Sequence, residues 1–483
     1  MCYFSEKEYK LETIKDFFKD KKNVISTALL LTIIALSIYV GVKVASYTGG
    51  VISILVVICL LTLIAGLFMS CKRKTKFVIY IEITFLIVLV VISGLIYKVS
   101  GVLYNISDAK EYEVVQIVAL KTSNIEPTNA FDTYVLGYCD DDNDAYNRSS
   151  DILVENNKKV ATSRPFENTT ELYNSFMANN VQLLVLTSDI KSDLSVIDEE
   201  YQDKIVILFE KKYEIDPVKM KPVDITKEPF TVYFCGADLS SGEDISSTGR
   251  GDVNILLTVN PNTEKVHLQV IPRDTFVYIP CRGGSSKLSY SGWWGGVQSS
   301  IDSIEDKFGI EINYYAKLNF NGLVDLVDAL GGITVYSHYT YSYQGYSFVE
   351  GYNDIDGEKA LRFVRARKML PENELSRGQH QMELIKGIFK KFAENPTYDK
   401  GLAIIDALSN NFVTNLPEED YYDAFKLIVK LLPELQEMDN HSIEGEYKWH
   451  YDEVRDGYYQ YYYYPNPGEI ERVRNSINNI IFE

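Results

Sequence analysis

Residues 249–275 read GRGDVNILLTVNPNTEKVHLQVIPRDT, an apolar middle with an arginine and an aspartate at each end: Arg250 and Asp252 before it, Arg273 and Asp274 after it. Val253 to Val259 and Lys265 to Ile271 are strand-like runs, and Asn260-Pro261-Asn262-Thr263-Glu264 between them is a turn former, so a β-hairpin is expected. In a hairpin centred on Asn262, residue 252 faces about residue 272, which gathers the four charged residues at the open end. A buried double strand gains nothing from such a cluster unless the charges pair with one another or bind something.

Working outward, other charges fall into the same kind of place. Thr231 to Gly236 is an apolar strand that ends in Gly236-Ala237-Asp238, again a carboxylate at a strand end. Gly357 to Val364 reads as helix and is followed by Arg365-Ala366-Arg367; if that tripeptide is extended, both guanidinia point to one face. Arg377 and Gln381 stand four apart at the start of a helix carrying Met382, Leu384, Ile385, Ile388 and Phe389, and so share a face. Arginine's planar fork suits phosphate oxygens, and Mg²⁺ usually takes one or two carboxylates plus substrate phosphates. A pyrophosphate with a metal ion fits both halves of the set.

The whole chain of 483 residues is 46% hydrophobic and 24% charged, enough for two or three compact units. Val24 to Val42, Val51 to Ser70 and Phe77 to Tyr97 are apolar runs of about 20 residues, roughly a bilayer's thickness as helix, so three transmembrane helices are expected within 24–104. Lysines crowd the first 22 residues, and Lys72, Arg73, Lys74 and Lys76 the second connection, against Lys43 alone in the first. The positive-inside rule then predicts a cytoplasmic segment 1–23 and a large extracytoplasmic remainder, a multi-pass protein embedded in a bacterial cell membrane. The formal net charge of −19 argues against nucleic acid as a partner. Six cysteines do not make a disulfide scaffold, and the five histidines lack the spacing of a zinc site.

Beyond the spans, short Val/Ile/Leu strands at 114–120, 133–136, 181–187 and 204–209, with a helix near Asn168 to Asn179, predict a small α/β accessory domain over 105–222. Asp216 to Glu228, with two prolines and several lysines, reads as a linker into a second domain over 229–483.

Six motifs in order and spacing resemble the LytR-CpsA-Psr (LCP) family, in its CpsA-like branch with three spans and an accessory domain. They are Gly236-Ala237-Asp238; Arg250-Gly251-Asp252; Ile271-Pro272-Arg273-Asp274-Thr275; Asn319-Phe320 with Val327 to Ile333; Asp356 to Arg367; and Arg377-Gly378-Gln379-His380-Gln381. The resemblance implies an α/β fold, a mixed β-sheet flanked by helices, and a ligase that moves a glycopolymer such as capsule polysaccharide or teichoic acid from a polyprenyl pyrophosphate carrier to a peptidoglycan acceptor. It further implies that Asp238 and Asp252 hold Mg²⁺, or Mn²⁺ in its stead, and that Arg250, Arg273, Arg365, Arg367, Arg377 and Gln381 bind the pyrophosphate. Arg250, Arg273 and Asp274 would then stand at the reacting centre, Asp274 as a base or as the partner that holds Arg273. The lipid tail would lie in an apolar tunnel lined by helices such as Leu323 to Leu330 and Leu384 to Phe392. Gly251 stands where the family often has Ser or Thr, and Leu239-Ser240 replaces a common Ser-Arg.

The tripeptide Arg250-Gly251-Asp252 runs straight into an apolar strand, which argues against an exposed adhesion loop. Tyr458 to Tyr464 reads as a half-buried strand before it reads as a sugar-stacking surface, and Trp293 and Trp294 suit a structural loop or a rim to the site. The rival function is a membrane-anchored regulator or sensor that binds lipid-linked glycan without chemistry; a full metal and arginine set favours the enzyme.

Overall fold

The structure is a computed structural model describing residues 21–48, most of 83–94, and 110–483 apart from 140–142, 199, 220, 240–242, most of 395–406, 438–441 and 456–458. It divides into two compact units, Met1–Tyr104 with Pro417–Phe425, and Asn105–Leu416 with Lys426–Glu483.

In the first unit, helix α1 (Lys21–Thr48) buries Ile33 and Val40 against Leu89 and leaves Leu31, Ile38 and Tyr39 exposed. Among the described residues no helix is long and apolar enough to cross a membrane. This corrects the expected multi-pass membrane protein with three transmembrane helices. Apolar run length alone does not separate a span from a helix whose apolar side packs on a neighbouring segment, as α1 does. Of the three runs, 51–70 and most of 77–97 lie outside the described residues, as does the expected cytoplasmic stretch 1–20.

The second unit is built on two five-stranded mixed sheets. The first has the order β3-β2-β4-β1-β5, from β1 (Tyr112–Leu120), β2 (Val135–Cys139), β3 (Thr162–Phe166), β4 (Leu183–Leu186) and β5 (Ile205–Glu214). Strand alternation in β1 sends Val118 and Leu120 into one apolar layer and Val115, Ile117 and Ala119 into the other. Helices α3 (Thr169–Met177) and α4 (Ser188–Ile197) cover the first layer through Leu172, Phe176, Ile190 and Leu194. Helix α2 (Asn143–Glu155) covers the second through Ile152 and Leu153. The α3 start is fixed by its cap, the Asn168 side chain accepting from the Glu171 amide at 2.9 Å.

The second sheet carries the hairpin. Its order is β16-β11-β6-β7-β8, from β6 (Phe230–Asp238), β7 (Arg250–Asn260), β8 (Lys265–Val270), β11 (Tyr314–Asn319) and β16 (Phe412–Thr414). Between β8 and β11 come a two-stranded sheet, β9 (Phe276–Ile279) with β10 (Gly284–Lys287), and helix α5 (Leu288–Phe308). Between β11 and β16 come α6 (Phe320–Ala329), β12 (Ile333–Ser337), β13 (Tyr341–Tyr343), β14 (Tyr346–Phe348), β15 (Gly351–Ile355), α7 (Gly357–Arg365) and α8 (Glu374–Glu394). The chain closes with the hairpin β17 (Gly445–Tyr451) and β18 (Tyr459–Pro465), then α9 (Pro467–Phe482). Tyr233, Cys235 and Leu256 point to one core with Ile304 and Phe308 of α5 and Val473 and Ile477 of α9. The opposite side chains of the same strands face α6 and α8.

The two sheets meet through a buried ion pair. Lys317 Nζ on β11 donates to Glu111 Oε1 at 2.6 Å and to the Ser247 carbonyl at 2.8 Å, and the Val297 amide donates to Glu111 Oε2 at 2.6 Å. Lys317 and Glu111 are 2% and 4% exposed, so their charges are desolvated and removal of either would strand the other.

Candidate active site

The expected hairpin forms, with Ile255 paired to Val270 and Asn260 to Lys265. On its other edge β7 pairs with β6, and the register slips between Gly236↔Val253 and Ala237↔Gly251, leaving Asp252 as the extra residue of a β-bulge. A Cβ on Gly236 would lie 2.6 Å from the Val253 Cβ, so the close approach at the bulge needs glycine there.

Four arginines are bound into one network at this bulge. Arg250 donates from Nη2 to Asp238 Oδ2 at 2.6 Å, from Nε to Asp252 Oδ1 at 2.6 Å, and from Nη1 to Ser192 Oγ of α4 at 3.3 Å. Arg273 Nη1 donates to Asp252 Oδ2 at 2.7 Å. Arg377 Nη2 reaches the Asp252 carbonyl at 3.2 Å and Glu374 Oε2 at 2.7 Å, and Arg367 Nη1 donates to Glu374 Oε1 at 2.7 Å. Arg365 is the last residue of α7 rather than part of an extended tripeptide, and its guanidinium lies 4.7 Å from the centre of the Phe320 ring. Arg250, Arg273, Arg365, Arg367, Arg377 and Gln381 all line one cavity of about 340 Å³, with Asp252 in its wall. Asp238 joins the set through Arg250.

Asp274 departs from its expected partner. Its carboxylate pairs with Lys287 Nζ at 3.0 Å, while Arg273 is held by Asp252 and lies 3.7 Å from Glu374. Glu374, which the sequence reading passed over, is 6% exposed and braces Arg367 and Arg377 together. Its i,i+3 spacing to Arg377 was a signal available in the chain. Trp293 is buried in α5 and stacks on Tyr290 at 4.3 Å, which makes it core rather than a rim. Cys235 and Cys281 are free thiols.

The electrostatics follow from burial opposed by charge. Burial raises the Asp252 carboxyl, but Arg250, Arg273 and Arg377 outweigh it and hold the group well below the usual carboxylate range. Burial and the Asp252 charge push the Asp238 carboxyl up, against Arg250 and Arg365. Burial likewise raises Asp274, and Lys287 and Arg273 bring it below its ordinary value. Five guanidinia thus face one cavity against few carboxylates, and the buried Arg273 Nε has no hydrogen-bond partner among the described residues. A multiply charged anion is the ligand that such an excess of donors fits.

The Asp238 and Asp252 pair also fits a divalent cation in part. The two acids share Arg250 and oppose each other's ionisation, which a cation between them would relieve. Among the described residues no group of three or more His, Cys, Asp or Glu gathers, so the remaining ligands would come from phosphate oxygens or water, as Mg²⁺ commonly accepts.

A second cavity of about 250 Å³ adjoins the first. Val253, Phe320, Val364 and Gln381 line both. Apart from Asn319 its wall is otherwise apolar, with Phe234 and Ile255 from the sheet, Leu323 and Leu326 from α6, and Leu384 and Ile388 from α8. These are the helices expected from the sequence to line a tunnel.

Comparison with known proteins agrees in sequence. The polyisoprenyl-teichoic acid–peptidoglycan teichoic acid transferase TagU of Bacillus licheniformis is 37% identical over 202 residues, 42% of this chain and 65% of that protein. TagU of Bacillus subtilis is 35% identical over 212 residues, 43% of this chain and 68% of that protein. The crystal structure of B. subtilis TagU aligns with a TM-score of 0.41 and 28% identity, covering 53% of this chain and 97% of the other. The match thus spans about two thirds of the length of these curated relatives. The LytR_cpsA_psr family model matches residues 194–479, more than half of the chain, and the protein belongs to that family.

Proposed function

We propose that the protein is a cell-envelope glycopolymer transferase that moves a glycan phosphate from a polyprenyl pyrophosphate carrier to a hydroxyl of peptidoglycan. The observation that carries this reading is the junction of the two cavities: an arginine-lined chamber that suits a pyrophosphate opens beside an apolar one that suits a hydrocarbon chain. The names of the relatives point to teichoic acid as the glycopolymer class.

In this reading the acceptor oxygen attacks the phosphorus that bears the glycan. The bond to the bridging oxygen breaks, and polyprenyl phosphate and a proton are released. Such transfers depend on positioning and charge stabilisation more than on covalent help from the protein. Arg365, Arg367 and Arg377 line the chamber beside the apolar cavity and would hold the departing phosphate. Arg250 and Arg273, pinned by Asp252, would orient the glycan-bearing phosphate without reorganising during the reaction. Asp238 and Asp252 would hold Mg²⁺, which when bound supplies further charge neutralisation at the phosphates. Helix α4, which packs on the first sheet, contributes Ser192 to Arg250, and we assign that layer an accessory, site-bracing role.

Release of polyprenyl phosphate from a lipid-pyrophosphate oligosaccharide, followed with and without Mg²⁺ and peptidoglycan, tests the reading. The Asp238→Ala, Asp252→Ala double variant should lose metal-dependent release; full activity in it would overturn the metal assignment. Tight lipid binding with no cleavage by the unmodified protein would instead favour a regulator.

A further inference from the structure

The tyrosine-rich end of the chain has a use that the charged site does not account for. Strands β17 and β18 read GEYKWHY and YQYYYYP and form a two-stranded sheet of their own. Their register sets Tyr447 opposite Tyr463, Trp449 opposite Tyr461 and Tyr451 opposite Tyr459, so alternation gives one face six aromatic rings. Four of the rings touch in sequence, Tyr463 to Tyr447 at 5.0 Å, Tyr447 to Tyr461 at 5.1 Å and within 4° of parallel, and Tyr461 to Trp449 at 5.3 Å, and beyond them Tyr451 meets Tyr459 at 5.5 Å. The other face anchors the hairpin, with Tyr462 and Tyr464 each packed 5.1 Å from Phe276 of β9.

Exposure along the aromatic face is graded. Tyr463 is 1% exposed, whereas Trp449 and Tyr459 are 68% and 67% exposed. The buried end is joined to the charged site: the Tyr463 amide donates to the Asp274 carbonyl at 2.8 Å, and Thr275 bridges to Tyr463. Burial raises the Tyr447 hydroxyl's pKa, and the charges of Asp274 and Glu374 add to it, so the second ring also lies within the field of the site. The aromatic face thus starts at the Asp274-Thr275 backbone, next in the chain to Arg273, and is open to solvent at the other end.

We propose that this aromatic face binds the uncharged sugar rings of the acceptor glycan strand and leads a hydroxyl of that strand to the arginine-lined chamber. The inference rests on the transfer reading above. Large exposed rings on a narrow sheet are a liability unless a partner covers them. Flat rings braced by neighbours offer rigid contact to the C–H faces of pyranoses at low entropic cost, and tyrosine hydroxyls can pair with sugar hydroxyls at the edge. Neither Lys nor Arg stands among the six rings, so the face suits a neutral chain better than an anionic glycopolymer or an anionic lipid surface.

The test uses the full chain and soluble N-acetylglucosamine oligomers as probe. Titration followed by tryptophan fluorescence or calorimetry should give saturable binding to the unmodified protein. In Trp449→Ala, Tyr461→Ala the affinity should fall at least about tenfold, given that a stacked ring commonly contributes that much. Trp449→Phe, which keeps a ring, should recover most of it. In the transfer assay the double variant should raise the KM for acceptor with kcat and lipid pyrophosphate affinity unchanged. Equal oligomer affinity in variant and unmodified protein, or no oligomer binding at all, would overturn the proposal. So would binding to phosphatidylglycerol vesicles that the double variant alone loses, which would assign the face to a membrane. Failure of the transfer reading is distinguishable, since it would remove donor cleavage while oligomer binding and its loss in the variant persisted.

Discussion

Glu374→Gln tests the wiring of the arginine cluster. The Glu374 carboxylate is buried and makes 2.7 Å ion pairs with both Arg367 and Arg377, with Arg273 Nε 3.7 Å away. Removing one partner of a buried pair costs about 3–5 kcal/mol, because the other charge is left uncompensated. Glutamine keeps the shape and one acceptor oxygen, so the loss should sit near the low end, about 3 kcal/mol. In domains of 150–250 residues each kcal/mol moves the thermal midpoint roughly 2–4 °C, so a fall of about 6–12 °C is expected. The functional effect has the opposite sign for binding. Glu374 competes with ligand phosphate for the guanidinia, so affinity for the lipid pyrophosphate should hold or tighten while turnover falls, as expected when arginines leave their productive geometry. Thermal unfolding of the variant, with a binding titration and a turnover assay beside it, reads all three. An unchanged midpoint would refute the bracing role, and a large loss of ligand affinity would refute the competition, showing that the arginines bind phosphate only where Glu374 holds them.

Arg365→Lys keeps the charge on the cavity wall but loses the planar fork, so turnover should fall on the order of 10² to 10³ fold with a much smaller change in lipid affinity; equal losses in both would mean simple binding. His380 is fully buried, stacked 4.1 Å from Phe363, and burial lowers its pKa to about 4 although the Phe363 carbonyl opposes the shift. Its contribution is therefore present above the unfolded value near 6.5 and is lost as pH falls toward 4, on the order of 3 kcal/mol. Urea midpoints across that window should show the loss, and His380→Gln should flatten it; an unchanged slope would contradict the buried neutral state. Leu326→Trp should fill much of the apolar cavity of about 250 Å³ and weaken long-chain polyprenyl substrates while sparing short-chain analogues, and equal effects on both would place the lipid elsewhere.

The hairpin was legible because its signals are local. Turn residues and flanking apolar runs fixed a register with residue 252 near 272, and the structure brings Asp252 within 2.7 Å of Arg273. The arginines after α7 and in α8 were legible from helix spacing, although α7 runs one residue further and takes in Arg365. What escaped were pairings set by tertiary approach. Lys287 reaches Asp274 across the connection through β9 and β10, and Glu374 reaches Arg367 across a turn. Strand β3 was missed because Pro165 sits within it, and proline argues against a strand except at an edge, where β3 lies. The apolar run 24–42 misled for a different reason: hydropathy reports what a segment can bury, not against what, and α1 buries Ile33 and Val40 against Leu89.

In the proposed reaction a glycan phosphate changes hands at the arginine-lined chamber. The most direct measurement is to incubate the protein with Mg²⁺, a lipid-pyrophosphate oligosaccharide labelled in the phosphate nearer the sugar, and peptidoglycan, then digest the wall and identify the labelled product by mass spectrometry. The label is expected in a phosphodiester joining the oligosaccharide to a peptidoglycan sugar, with one polyprenyl phosphate released for each link and neither formed by Arg365→Lys at a comparable rate. Label that stays on intact lipid pyrophosphate, bound tightly to the protein and never transferred, would contradict it.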